Sequence, residues 1–128
     1  WSAPRMAERE GRKAVQMFEA IERGEIKALW VMATNPAVSL PRAAAMREAL
    51  GKLDLLVVSE NMLVNDTMSA APHVLLPAAA WGEKDGTVTN SERRISRQRS
   101  FLPMPEDVRP DWWIVAQVAR QLGFGASL

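Results

Sequence analysis

The chain predicts a three-layer α/β domain built on a mainly parallel sheet. Three apolar runs, Ile26–Ala33, Leu53–Ser59 and His73–Pro77, have strand length. They lack the polar alternation of a sheet with one wet face, so both faces are expected to be covered. Helical patterns alternate with these runs, and such alternation is the pattern of parallel pairing. Together they point to a Rossmann-like arrangement with ligands at the carboxyl ends of the strands.

The elements follow in order. Trp1–Gly11 is charged and weakly patterned, and reads as a loop. Arg12–Arg23 reads as a helix with Ala14, Phe18 and Ile21 on one face and Gly24 as its stop. Ile26–Ala33 is the first strand, broken by Thr34, Asn35 and Pro36. Pro41–Leu50 reads as a second helix, with Pro41 in its first turn and Gly51 beyond its end. Leu53–Ser59 is the second strand. Asn61–Pro72 is a polar connection with room for one helical turn, and His73–Pro77 is the third strand. Gly86–Ser96 reads as a small antiparallel excursion. Phe101–Pro110 carries three prolines and should run extended. A last helix starts near Asp111 and ends near Gly123. Trp112, Val115, Ala119 and Leu122 share a face of it, as expected for packing on the sheet.

Composition narrows the function. The 128 residues make one domain, large enough for a real core. The net charge of +1 gives no whole-chain attraction to nucleic acid or to a membrane. The absence of cysteine excludes a disulfide, a thiolate nucleophile and a cysteine-held cluster within this piece. One histidine makes a histidine-based metal site improbable. No apolar run is long enough to cross a bilayer, and no signal peptide opens the chain. Opening on Trp1 rather than Met, the chain is expected to be an excised piece of a larger protein.

The densest polar stretch is Trp81–Ser96, WGEKDGTVTNSERRIS. It offers a cation (Lys84), carboxylates (Glu83, Asp85), short hydroxyls and close backbone approach at Gly82 and Gly86. It contains groups that hold a ligand and none suited to running a reaction, so no catalytic residue is assigned. A polar surface hairpin is the alternative reading. Elsewhere, Asn35 can donate and accept at once, or serve as a turn asparagine. Ser59 and Glu60 end a strand, where an acid commonly receives ribose hydroxyls; a solvated terminal acid is the alternative. Asp111 precedes an apolar helix and reads as its N-cap. Arg93, Arg94, Arg97 and Arg99 form a basic cluster, either a phosphate strip or a solvated face. No aromatic residues interleave for stacking on single-stranded nucleic acid. His73 reads as structural. Trp81, Trp112 and Trp113 are expected in the core or in buried contacts between domains.

Four blocks in order carry a family resemblance. They are GEIKALWVMATNPAVSLP (Gly24–Pro41), VVSENM (Val57–Met62), HVLLPAAAWGEKDGTVTNSERRISRQR (His73–Arg99) and RPDWWIVAQVARQLGF (Arg109–Phe124). The chain resembles molybdenum bis(molybdopterin guanine dinucleotide) oxidoreductases, most closely the assimilatory nitrate reductases. The resemblance implies that Asn35, Ser59, Glu60, Lys84 and Asp111 contact one guanine dinucleotide arm of the cofactor. Glu60 stands where the family pattern has Asp, one methylene shorter with the same charge. The metal ligand and an iron–sulfur cluster, in this family, come from other regions of the polypeptide, so no residue here is assigned to metal.

By the same resemblance the intact enzyme reduces nitrate to nitrite in the cytoplasm, in nitrate assimilation. Its partners are the remaining domains of its own polypeptide and an electron donor that the sequence does not name. The isolated piece should be inactive and should hold no metal tightly. Two other readings remain: the same domain of a formate dehydrogenase, and a non-enzymatic anion- or nucleic-acid-binding module built on Arg93–Arg99.

Overall fold

The computed structural model describes residues 5–125. Helix α1 (Ala14–Glu22) leads into strand β1 (Ala28–Met32). Two helices, α2 (Pro36–Ser39) and α3 (Ala43–Leu50), precede β2 (Leu55–Glu60) and β3 (Val74–Pro77). A hairpin, β4 (Gly86–Thr89) and β5 (Ile95–Gln98), stands apart from the sheet, and α4 (Asp111–Ala119) comes last.

The sheet is parallel with order β1-β2-β3, as the unbroken apolar runs predict. Its register aligns the carboxyl ends. Met32 stands beside Ser59, Ser59 beside Leu76, and Glu60 beside Pro77. The hairpin is antiparallel, also as expected.

Helix α1 ends as its sequence dictates. Gly24 takes φ 71°, a region open to glycine without strain. Its N–H bonds the Ile21 carbonyl at 2.9 Å, and the Glu25 N–H bonds Ala20 at 2.9 Å, closing a Schellman motif. The helix lays Phe18 and Ile21 on the sheet beside Met46, Ala49 and Leu50 of α3. Opposite them sit Val31, Leu56 and Val58, so this layer forms the core. Ala14, expected on the same face, is exposed.

Three local expectations are corrected. The helix expected from Pro41 begins at Ala43, after Arg42 in a left-handed conformation (φ 58°). The proline that opens a helix is Pro36, at the first position of α2, where its missing N–H costs nothing. The face expected to pack on the sheet does not: Trp112 and Val115 of α4 are 65% and 43% exposed, and Leu122, beyond the end of α4, is 69% exposed. Ile114 is the residue α4 buries, with Gln117 and Val118 on its side facing Leu76 and Pro77. Both faces of this helix are apolar, so composition alone could not choose between them.

Consequently the second face of the sheet has a thin cover. Val118 of α4 faces Trp30, Val57, Val74 and Leu76, while Leu55 and Val74 stay exposed. Trp81, Trp112 and Trp113 are likewise exposed and lie outside this core, so of the two places expected for them, core or contacts between domains, the core is not the one they take. His73 is structural as expected: its Nδ1 accepts the Leu56 N–H at 3.0 Å.

Candidate functional site

The aligned strand ends open onto a cavity of about 430 Å³. That is within the roughly 300–1,000 Å³ of small-molecule sites. Asn35, Ser59, Glu60, Lys84 and Asp111 all line it, with Trp81 at its rim. Sequence reasoning placed these five on one edge, and the structure brings them together.

Each is held by a different device. Ala33, the first residue past β1, turns the chain with φ 53° and carries Asn35 over the sheet edge. A non-glycine residue there stores about 1–3 kcal/mol of strain. Asn35 does not bond its own turn through its side chain. Its Oδ1 accepts from the Thr67 N–H at 3.2 Å and the Thr67 hydroxyl at 2.7 Å. Ser59 is buried, and its Oγ accepts the Trp30 indole N–H at 2.8 Å.

Glu60 is committed to its own loop. Its Oε1 takes the Asn61 and Met62 N–H groups at 2.8 and 3.3 Å. Its Oε2 takes the Asn65 amide at 2.8 Å and keeps a second lone pair.

Lys84 and Asp111 meet directly, Nζ to Oδ2 at 3.0 Å. Their side chains are 26% and 31% exposed, less than in any other ion pair among the described residues. This pair is therefore the least screened. The N-cap expected of Asp111 is corrected. Pro110 occupies that position and its carbonyl receives the Trp113 and Ile114 N–H groups. Asp111 is the first helical residue, where a negative charge favours the helix dipole, and its carboxylate serves Lys84.

The turn Trp81–Glu83 delivers Lys84. Glu83 Oε2 accepts the Ala80 N–H at 2.8 Å, and the Gly82 carbonyl accepts the Phe101 and Leu102 N–H groups, each at 2.9 Å. Asp111 arrives by another route. The extended connector runs beside the end of β3, with the Arg109 N–H on Pro77 at 3.1 Å and the Ala79 N–H on Arg109 at 2.9 Å. A parallel bridge between Ala78 and Arg109 fixes the start of α4 at the same edge.

Sequence reasoning missed four residues that set this geometry: Trp30, Asn65, Thr67 and Gln98. Thr67 and Asn65 lie in a polar connection with no periodicity, and their partners are contacts of folding rather than of pattern. Gln98 sits in the arginine cluster, yet it is 7% exposed. Its Nε2 donates to the Trp81 carbonyl and to the Lys84 carbonyl at 3.1 Å, pinning both ends of the turn. The four arginines around it are exposed and pair with no acid among the described residues.

Replacing Gln98 with glutamate should turn that anchor into a carboxylate facing two carbonyls. A buried group left without its partner costs about 1–3 kcal/mol, more when charged. Gln98→Glu is expected to speed amide exchange across β4, β5 and Trp81–Lys84 in the full-length protein. Unchanged exchange there would remove Gln98 from the account.

Among the described residues no cluster of three His, Cys, Asp or Glu side chains could hold a metal ion. No helix among them is long and apolar enough to cross a membrane.

A family-wide profile described as molybdopterin oxidoreductase matches residues 3–121. The chain belongs to the molybdopterin oxidoreductase family. A nitrate reductase of Klebsiella oxytoca is 54% identical over 127 residues, which is 99% of this chain and 14% of that protein. A nitrate reductase of Shewanella frigidimarina is 49% identical, covering 97% of this chain and 13% of its own length. A putative formate dehydrogenase of Bacillus subtilis is 40% identical over 88% of this chain and 11% of its own. The chain thus spans about one seventh of the length of these two nitrate reductases.

Membership implies a molybdenum–molybdopterin cofactor in the intact protein. The cavity suits a polar arm of such a group. Asn35 and Ser59 have hydrogen-bonding capacity left over after their internal contacts, and Lys84 with Asp111 provides both charges at the rim.

Proposed function

We propose that this domain binds one guanine dinucleotide arm of a bis(molybdopterin guanine dinucleotide) cofactor, and that the intact protein is a nitrate reductase. The observation that carries the reading is the convergence of Asn35, Ser59, Glu60, Lys84 and Asp111 on one cavity at the carboxyl ends of a parallel sheet. Open α/β sheets receive nucleotides at that edge.

In this reading the domain binds and orients. Lys84 offers charge-assisted hydrogen bonds to phosphate oxygens, and Asp111 holds the ammonium in place between ligands. Asn35 and Ser59 bond the polar atoms of the nucleotide that reach the strand ends. Glu60 keeps the Asn61–Asn65 loop folded at the mouth and has one lone pair for a nucleotide donor. The bound cofactor supplies the redox chemistry, in which nitrate takes two electrons and two protons to give nitrite and water. Those electrons would come through an iron–sulfur cluster held by another region of the polypeptide. An assimilatory role, the one named for a relative in Bacillus subtilis that is 38% identical, goes with a cytoplasmic protein.

The exposed apolar surface suits a domain that works among neighbours. Trp112 and Val115 on α4, Leu122 beyond its end, and Leu55 and Val74 on the sheet form patches that an independent soluble protein rarely leaves open. The remaining domains of the same polypeptide are the partners this reading assigns to them.

The full-length protein is expected to oxidise reduced viologen with nitrate and to form nitrite, and the 128-residue chain alone to do neither. Formate oxidation without nitrate reduction would favour the second reading, a formate dehydrogenase, which the Bacillus subtilis relative supports. Turnover by the isolated chain would contradict the proposal.

A further inference from the structure

The hydrogen bonds around Asn35 fix its orientation as well as its location. Thr67 is fully buried, and all its polar capacity is directed. Its Oγ1 accepts the Ala37 N–H at 3.3 Å. Its one hydroxyl proton therefore goes to Asn35 Oδ1, at 2.7 Å, and its backbone N–H goes to the same oxygen at 3.2 Å. Two donors converging on one atom identify that atom as the amide oxygen and fix which way the amide faces. The Asn35 NH2 group is left on the opposite side, with no acceptor among the described residues, at a cavity that Asn35 lines.

Ser59 is also held by an internal donor. Its Oγ already accepts the Trp30 indole N–H, which can only donate. Its own proton meets no acceptor among the described residues, and Ser59 lines the same cavity. The Asn35 amide is thus turned by two internal donors so that only its NH2 donor remains, while the Ser59 hydroxyl keeps its proton and one lone pair.

We infer that Thr67 is a positioning residue that locks Asn35 as a hydrogen-bond donor, so that Asn35 selects a ligand atom that can only accept. Phosphate oxygens, a ribose ring oxygen and an unprotonated base carbonyl have that chemistry; a base N–H edge does not. The N–H edge of a guanine is left to the Glu60 carboxylate, whose Oε2 keeps a lone pair. This rests on the reading of the cavity as the nucleotide-arm site, and it divides that cavity into a donor half and an acceptor half.

Thr67 bonds from a connection 32 residues away in sequence, through the loop whose Asn65 also holds Glu60. The same loop between β2 and β3 therefore sets the polarity of both halves. In that loop Asn65 donates to Glu60 and accepts the Met68 N–H at 2.9 Å, so it too has a fixed orientation.

The test uses the full-length holoprotein, with guanine nucleotide and molybdopterin released per protein after gel filtration, and melting temperature, as readouts. Asn35→Asp keeps an oxygen for both Thr67 donors but replaces the NH2 with an acceptor. It is expected to melt close to wild type and to lose cofactor roughly tenfold faster, the effect of one strong hydrogen bond. Thr67→Val should accelerate loss by a similar factor and Thr67→Ser should restore retention. In an Asn35→Ala background, Thr67→Val should add nothing further, because its effect passes through the amide.

Wild-type retention in Asn35→Asp, alongside loss in Asn35→Ala, would overturn the donor assignment and leave the cavity reading standing. Equal additional loss from Thr67→Val in both backgrounds would make Thr67 a packing residue and overturn its positioning role. Full retention in Asn35→Ala would overturn the cavity reading and this inference with it. Should Thr67→Val fail to fold, the Asn35→Asp and Thr67→Ser results decide.

Discussion

Lys84→Ala in the full-length protein is expected to lose cofactor tenfold to a hundredfold faster than wild type. A charge-assisted hydrogen bond is worth about 1.5–3 kcal/mol, which sets that range. A second effect acts in the same direction. The substitution strips Asp111 of its partner and leaves a bare carboxylate at the rim of a cavity meant for an anion. Asp111→Asn leaves the Lys84 charge intact and gives it an amide oxygen to bond, so it should do less harm. Lys84→Ala with Asp111→Asn should then retain more cofactor than Lys84→Ala alone, since no unpaired anion remains. Release of guanine nucleotide during gel filtration measures all three. If Asp111→Asn alone proves as harmful as Lys84→Ala, the carboxylate is a ligand contact in its own right rather than the keeper of Lys84.

Phe18→Ala is expected to cost about 3–5 kcal/mol, the range for emptying an aromatic site in a packed core. Phe18 is 2% exposed and sits between α1, α3 and the sheet, against Val31, Leu56 and Val58. The loss is comparable with the whole stability of a marginal domain. It reaches function because these strands carry the cavity at their carboxyl ends. Hydrogen exchange in the full-length protein should show β1 and β2 amides opening much faster. Val15→Ala, on the exposed side of the same helix, should change exchange little. Equal responses from the two would mean that this layer does not hold the sheet together.

Much of the fold was readable because its signals are local. Long apolar strands announce a buried parallel sheet, Gly24 announces the end of α1, and the Gly86–Gln98 region pairs as a hairpin. The same locality brought Asn35, Ser59 and Lys84 to one edge, since Ser59 lies at the carboxyl end of a strand, the other two follow one by a short connection, and parallel strands share that edge.

What was not readable depends on long-range choices. Pro41 and Pro36 are both plausible helix openers, and only the left-handed Arg42 settles where α3 begins. Trp112 and Ile114 are both apolar, and the face α4 buries is decided by where the Arg109 bridge sets the helix down. Asp111 reads as a cap until Lys84, 27 residues away, is seen to claim its carboxylate. Thr67 and Gln98 carry no pattern at all; their roles exist only once distant carbonyls and amides have been brought to them.

An experimental structure of the full-length protein with its cofactor bound tests the central claim most directly. A nucleotide arm should lie in the cavity at the ends of β1, β2 and β3, with ligand acceptors within hydrogen-bond reach of Asn35 Nδ2 and Ser59 Oγ and a phosphate near Lys84 Nζ. A nucleotide arm seated elsewhere, with this cavity filled by another segment of the polypeptide, would contradict it.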